Sequence, residues 1–215
     1  MAAATPNLRN LALPVAAMCA VVVASNILVQ YPVGQLGLAD YLTWGAFTYP
    51  VAFFITDLTN RRFGVAMARR VVVAGFVCAV ALSIYLATPR IALASGSAFL
   101  CAQLLDVTMF DRLRRNSWWQ APLLSSVVGS ALDTLLFFSL AFAAMFSFIE
   151  PSDAFAVERT ALFGGLLADT PRWVAWALSD FAVKMAMGLA LLVPYGALRR
   201  IVAPMTAAAT GPNPA

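Results

Sequence analysis

Five ionisable side chains of this 215-residue chain fall inside apolar stretches: Asp57, Asp106, Asp133, Asp180 and Lys184. Lys184 is the only lysine, the other thirteen basic residues being arginines. Asp180 and Lys184 are four apart, so on a helix they share a face and can pair. Lysine can lose its proton when desolvated, or donate to a ligand from a compact head, whereas arginine keeps its charge. A static, self-neutralising pair that fixes helix packing is the alternative reading. Asp133 has no cation within four residues, so its partner must come from another segment or from a ligand. Ser130 lies one turn before it and Thr134 adjoins it. Pairing between Asp133 and Lys184 across a bundle would also serve. Asn26, Gln30 and Gln103 add fork-shaped amides in other apolar runs.

Asp57 and Asp106 differ because arginines follow each of them, in TDLTNRR and LDVTMFDRLRR. Ion pairs with Arg61, Arg62 or Arg112 at a membrane interface are one reading. A gate whose pairs break during a transport cycle is the other. The chain has no histidine, hence no imidazole metal site or proton relay. Cys19, Cys78 and Cys101 are far apart in apolar runs, which suits small buried hydrophobes better than zinc or a disulfide framework. No P-loop, Ser/His pair or zinc-helix motif occurs. No catalytic residue, metal or cofactor is therefore expected.

The elements that must position these groups follow from composition. The chain is 62% hydrophobic and 11% charged, with a mean hydropathy of +0.83. A soluble domain is about a quarter charged, so lipid is the solvent this surface fits. Windows of about 20 apolar residues, enough to cross roughly 30 Å of hydrocarbon, can be placed six times. They cover 11–29, 42–59, 71–88, 91–110, 121–149 and 173–198, and helices are their natural form. At 1.5 Å per residue, Asp133, Lys184 and Gln103 lie roughly 16–18 Å into their spans, close to the midplane. A charge there is costly and must face a cavity or a partner.

Ten arginines fall on one side of this arrangement, counting Arg9, Arg61, Arg62, Arg69, Arg70, Arg112, Arg114, Arg115, Arg199 and Arg200. Only Arg90, Arg159 and Arg172 fall on the other. The positive-inside rule then puts both termini in the cytoplasm. It also explains the net charge of +4 without a nucleic-acid partner. The N-terminus has no removable-signal pattern. The expected fold is an all-α integral membrane protein with a single six-helix domain over residues 1–200 and a disordered tail at 201–215. Residues 150–172 form the longest connection, read as either an interfacial helix or a flexible loop. Pro50 and Pro194 fall inside spans, where they kink a helix or break it to present backbone to a cavity. Ala16, Ala20 and Ala24 form a small-residue stripe that could receive another helix, within the bundle, in a homodimer or from an energising ATPase module.

The segments SNILVQYPV, TWGAFTYPVAFFITDLTNRRFG, QLLDVTMFDRLRR, WWQAP, LDTLLFF, SDFAVK and LVPYG, in this order, resemble the queuosine precursor transporter family. This is a bacterial branch of the vitamin-uptake transporters, related to the substrate-binding components of energy-coupling-factor importers. The resemblance spans Ser25 to Gly196, although the 150–172 loop is longer than the family leads one to expect. It implies import of 7-cyano-7-deazaguanine and its aminomethyl relative across the inner membrane for tRNA modification. A deazaguanine presents adjacent N–H and NH2 donors and a carbonyl, so a carboxylate suits the donor pair and an ammonium or amide the carbonyl. Asp133 is the candidate for the donors and Lys184 or Gln103 for the carbonyl. Asn26 gives support, Asp180 and Gln30 complete the polar lining, and Phe137 offers a stacking face. Energy coupling stays open at this point: a proton could ride on Asp133, Asp57 or the Asp180–Lys184 pair, or the carrier could be passive and rely on enzymatic trapping inside.

Overall fold

The computed structural model describes residues 11–162 and 167–202; Arg9 and residues 203–215 of the expected tail lie outside the described residues. In chain order the helices are α1 (Ala12–Leu28), α2 (Gly45–Thr48), α3 (Pro50–Phe63), α4 (Val65–Leu86) and α5 (Pro89–Leu113), then α6 (Gln120–Phe142), α7 (Ala154–Val157) and α8 (Arg172–Ile201). Five of them, α1, α4, α5, α6 and α8, are long and apolar enough to cross a bilayer. The chain is a mostly helical, multi-pass membrane protein.

The expected second span departs from this. It is divided at Tyr49 into the single turn of α2 and the 14-residue α3. Fourteen residues reach about 21 Å, short of a hydrocarbon core of roughly 30 Å. Pro50 causes the division: it has no N–H for the Ala46 carbonyl, yet its fixed φ suits the first position of a helix. Pro194 does not break α8, which runs through it without interruption. α3 ends at Gly64, whose φ of 82° is one that a side chain disfavours, and α4 starts at once.

Residues 150–172 are neither a long interfacial helix nor wholly irregular. One turn, α7, precedes a two-stranded antiparallel ribbon, β1 (Arg159–Leu162) with β2 (Leu167–Pro171). The fold is thus the expected helical membrane fold with one small β-ribbon added in a connection. Arg90 ties this end of the bundle together. It is buried at the start of α5 and donates to the carbonyls of Leu140 (2.8 Å), Ala143 (2.6 Å) and Glu150 (3.0 Å), and to the Ser152 hydroxyl (3.1 Å).

The short α3 sits centrally and touches α1, α4, α5, α6 and α8, while α5 lies along α6. Met18, Val22, Val71, Val72 and Phe99 form the core of the α1–α4–α5 side. Close approach depends on small residues, as lipid-embedded helices require. A Cβ on Gly75 would lie 2.6 Å from Met18 Cγ, and one on Gly129 would lie 2.8 Å from a Phe53 ring carbon. Cys19 and Cys78 are half-buried and Cys101 is exposed, so the cysteines do not fill the core as the sequence suggested. Ala16 and Ala20 face outward, and the small-residue stripe is not consumed inside this bundle.

Candidate functional site

The central feature is a closed polar network of α6 and α8 with Tyr49 at the α2–α3 break. Lys184 Nζ lies 2.7 Å from Asp133 Oδ2 and 2.5 Å from Asp180 Oδ2. Its third hydrogen goes to Thr134 Oγ1 at 3.2 Å, and the Thr134 hydroxyl donates to Asp180 Oδ2 at 2.9 Å. Tyr49 donates to the remaining oxygen of Asp133, Oδ1, at 3.1 Å, and its ring lies 5.3 Å from the ammonium. Lys184 is 5% exposed and Asp133 4%. An ammonium has three donors, and all three are used here. Two carboxylates thus share one ammonium deep in an apolar bundle.

The network forms the floor of a cavity of about 620 Å³ that opens toward the β-ribbon end. Its walls include Asn26, Gln30, Tyr41, Phe137, Phe138, Phe142 and Trp176. That volume lies within the range of small-molecule sites, and mostly apolar walls with a few convergent polar groups are their usual composition. The aromatic side is built up by edge contacts, with Phe137 5.1 Å from Phe138 and Phe142 5.5 Å from Trp176 between ring centroids. Trp176 is fixed by its indole N–H, which donates to the Asp40 carbonyl at 2.8 Å. Below the floor a small crevice of about 20 Å³ lies among Phe53, Asp57, Ser126, Ser130, Lys184 and Tyr195. Lys184 lines both spaces.

The structure brings Asp133, Lys184, Asp180, Asn26, Gln30 and Phe137 of the expected set to one cavity. Asn26 donates to the Val22 carbonyl at 2.9 Å, which leaves its amide oxygen for a ligand. Gln30 reaches the Asn26 carbonyl at 3.3 Å near the mouth. Gln103 is not in the cavity. It is completely buried and hydrogen-bonded to the Thr56 hydroxyl at 2.7 Å, so it serves the α3–α5 contact instead of a ligand. The expected ion pairs of Asp57 and Asp106 are also absent among the described residues. α3 turns Asp57 inward, away from the arginines, and Asp57 and Asp106 lie close enough to interact with each other, with Ser125 nearby. Arg112 is exposed and pairs with neither, while Arg61 lies near Tyr195. The sequence reading missed Tyr49. Its one signal was a hydroxyl-bearing ring next to the span-breaking Pro50.

A multi-pass helical protein with a charged pocket sunk into its apolar interior has the architecture of a membrane transport protein. The comparisons with known proteins agree. A family model described as "Putative vitamin uptake transporter" matches residues 43–88 and 82–198, and the chain belongs to that family. It is 35% identical over 200 residues to the "Queuosine precursor transporter" of Escherichia coli strain K12, covering 83% of this chain and 81% of that protein. It is 32% identical over 214 residues to the "Probable queuosine precursor transporter" of Haemophilus influenzae, covering 85% and 83% of the two chains. A Bacillus subtilis protein with the same description is 26% identical over 201 residues, covering 80% of this chain and 77% of that one. No solved structure matches the chain.

Proposed function

We propose that this protein imports queuosine precursors, 7-cyano-7-deazaguanine and 7-aminomethyl-7-deazaguanine, across the bacterial inner membrane. It is a transporter and not an enzyme. The observation that carries the cargo assignment is the floor network, in which two carboxylates share one ammonium under an aromatic wall. Adjacent N–H and NH2 donors of the deazaguanine edge replace part of the lysine's coordination of Asp133, and the lysine turns to the base carbonyl. The ring stacks against Phe137 and its neighbours. The second carboxylate beside the lysine favours the cationic aminomethyl precursor and tolerates the neutral nitrile. α2 and α3 together with their flanks supply a sixth crossing, and the arginine-rich end, with both termini, lies in the cytoplasm. The cavity then opens outward in this state, ready to load.

Purified protein in liposomes should take up either radiolabelled deazaguanine and exchange it against unlabelled compound. Absence of both would sink the assignment. Reporter fusions at the two termini should both read inside, and an outside signal would overturn the orientation.

A further inference from the structure

A second buried acidic site lies beneath the first, and the cargo reading above does not use it. Asp57 of α3 and Asp106 of α5 are 2% and 0% exposed. They lie close enough to interact with each other, with the Ser125 hydroxyl of α6, itself fully buried, nearby. Neither carboxylate has an ion-pair partner among the described residues. Both oxygens of Asp106, Oδ1 of Asp57, the Ser125 hydroxyl and the amide oxygen of Asn60 all lack a hydrogen-bond partner. So many acceptors gathered in one dry spot call for a donor.

A proton supplies one. Two carboxylates this close in an apolar interior cannot both stay ionised, because each uncompensated buried charge costs several kcal/mol. One shared proton gives an O–H donor to the neighbouring carboxylate. It also leaves a single charge for Ser125 to solvate. Other charged or titratable groups near the pair are few. Tyr195 of α8 neighbours Asp57, with Arg61 of α3 and Arg199 of α8 behind it. α1 and α4 meet α3 with apolar side chains such as Met18, Met67 and Val71.

The pair is also connected to the cargo site. The small crevice reaches from Asp57 to Lys184, and about 20 Å³ is room for one water. Cargo that displaces Lys184 from Asp133 therefore alters the field and the water next to Asp57. We infer that the Asp57–Asp106 pair is the proton site of a proton-coupled importer. It is loaded from the outward state and emptied toward the arginine-rich end, one proton moving with each precursor and passing to water on release. This inference rests on the transport reading.

The test uses proteoliposomes with the membrane potential clamped. An inward gradient of one pH unit should drive about tenfold accumulation of neutral 7-cyano-7-deazaguanine. Asp57→Asn and Asp106→Asn should only equilibrate it while still exchanging internal for external label. Addition of precursor to wild-type vesicles without an imposed gradient should acidify the lumen, a readout that needs no variant to fold. Accumulation indifferent to pH, accumulation driven by sodium alone, variants that still concentrate cargo, or no lumenal acidification would each overturn the inference. Wild-type exchange that persists in those cases keeps the transport reading, whereas loss of exchange itself defeats that reading first.

Discussion

Replacing Asp133 by asparagine separates recognition from architecture, because the floor network loses its members unequally. Asp133→Asn removes one carboxylate from a cluster in which two share one ammonium. Lys184 keeps Asp180 at 2.5 Å and Thr134 at 3.2 Å, so the remaining group is neutral and still bonded. The fold should survive. The cargo fares worse, because the amide places NH2 hydrogens where the deazaguanine's own donors need acceptors. A hydrogen bond to a charged group is worth about 1.5–3 kcal/mol. Losing two should cost about 3 kcal/mol or more, roughly a hundredfold in affinity. Lys184→Met is the opposite case. It leaves Asp133 and Asp180 buried with no cation, and breaking such a pair typically costs about 3–5 kcal/mol of stability. The assay is deazaguanine affinity in detergent by quenching of Trp176, which lines the cavity, alongside thermal unfolding of each variant. Asp133→Asn that binds within about threefold of wild type, less than 1 kcal/mol, would refute the recognition argument. Unfolding as early as Lys184→Met would refute the charge argument.

Other perturbations test neighbouring parts. Lys184→Arg should lower transport at least tenfold, since the wide planar fork cannot reproduce three bonds from one nitrogen in a 5% exposed site; full uptake would show that positive charge alone suffices. Arg90→Ala should lower stability by about 3 kcal/mol or more, because three carbonyls lose their donor, while the affinity of the folded fraction stays unchanged; chemical denaturation with a binding assay checks both. Gly45→Val should cost about 1–3 kcal/mol and weaken binding, because a Cβ there would lie 2.9 Å from the Val29 backbone and force α2 away from α1 beside the cavity; a variant as stable and as tight-binding as wild type would contradict that packing.

Depth was the most legible quantity in the sequence. Counting residues along the apolar runs put Asp133 and Lys184 at one level, and they meet at 2.7 Å. Rotation about the helix axis was not legible, because runs that are apolar all round carry no face. That is why Asp57 and Asp106 were assigned to the arginines that follow them in sequence. In the fold, both carboxylates turn toward the bundle, and Arg112 turns to its surface. Gln103 shows the same blindness: its depth was right, but its side chain points at Thr56 and not at the cavity. The β-ribbon escaped because two short strands in a connection leave little periodicity to read.

The break at Tyr49–Pro50 has a position that matters for alternating access. Gly45, Ala46 and Tyr49 line the upper cavity, whereas Pro50, Phe53, Phe54 and Asp57 line the crevice beneath. On α6 the change falls between Asp133 above and Ser130 below, and on α8 it falls at Lys184. One thin layer of Tyr49, Asp133 and Lys184 therefore divides the two spaces. Opening the far side requires that layer to part, and a proline-broken span can move there without losing a helical hydrogen bond. Tyr49 seals it, with its hydroxyl on Asp133 and its ring edge-on to Phe53 and Phe99 at 6.3 and 6.1 Å. Tyr49→Ala should breach the layer. In a background lacking Cys19, Cys78 and Cys101, a thiol from Ser126→Cys should resist a membrane-impermeant reagent added at the β-ribbon face. Combined with Tyr49→Ala it should react. Equal labelling with and without Tyr49 would mean that the division lies elsewhere.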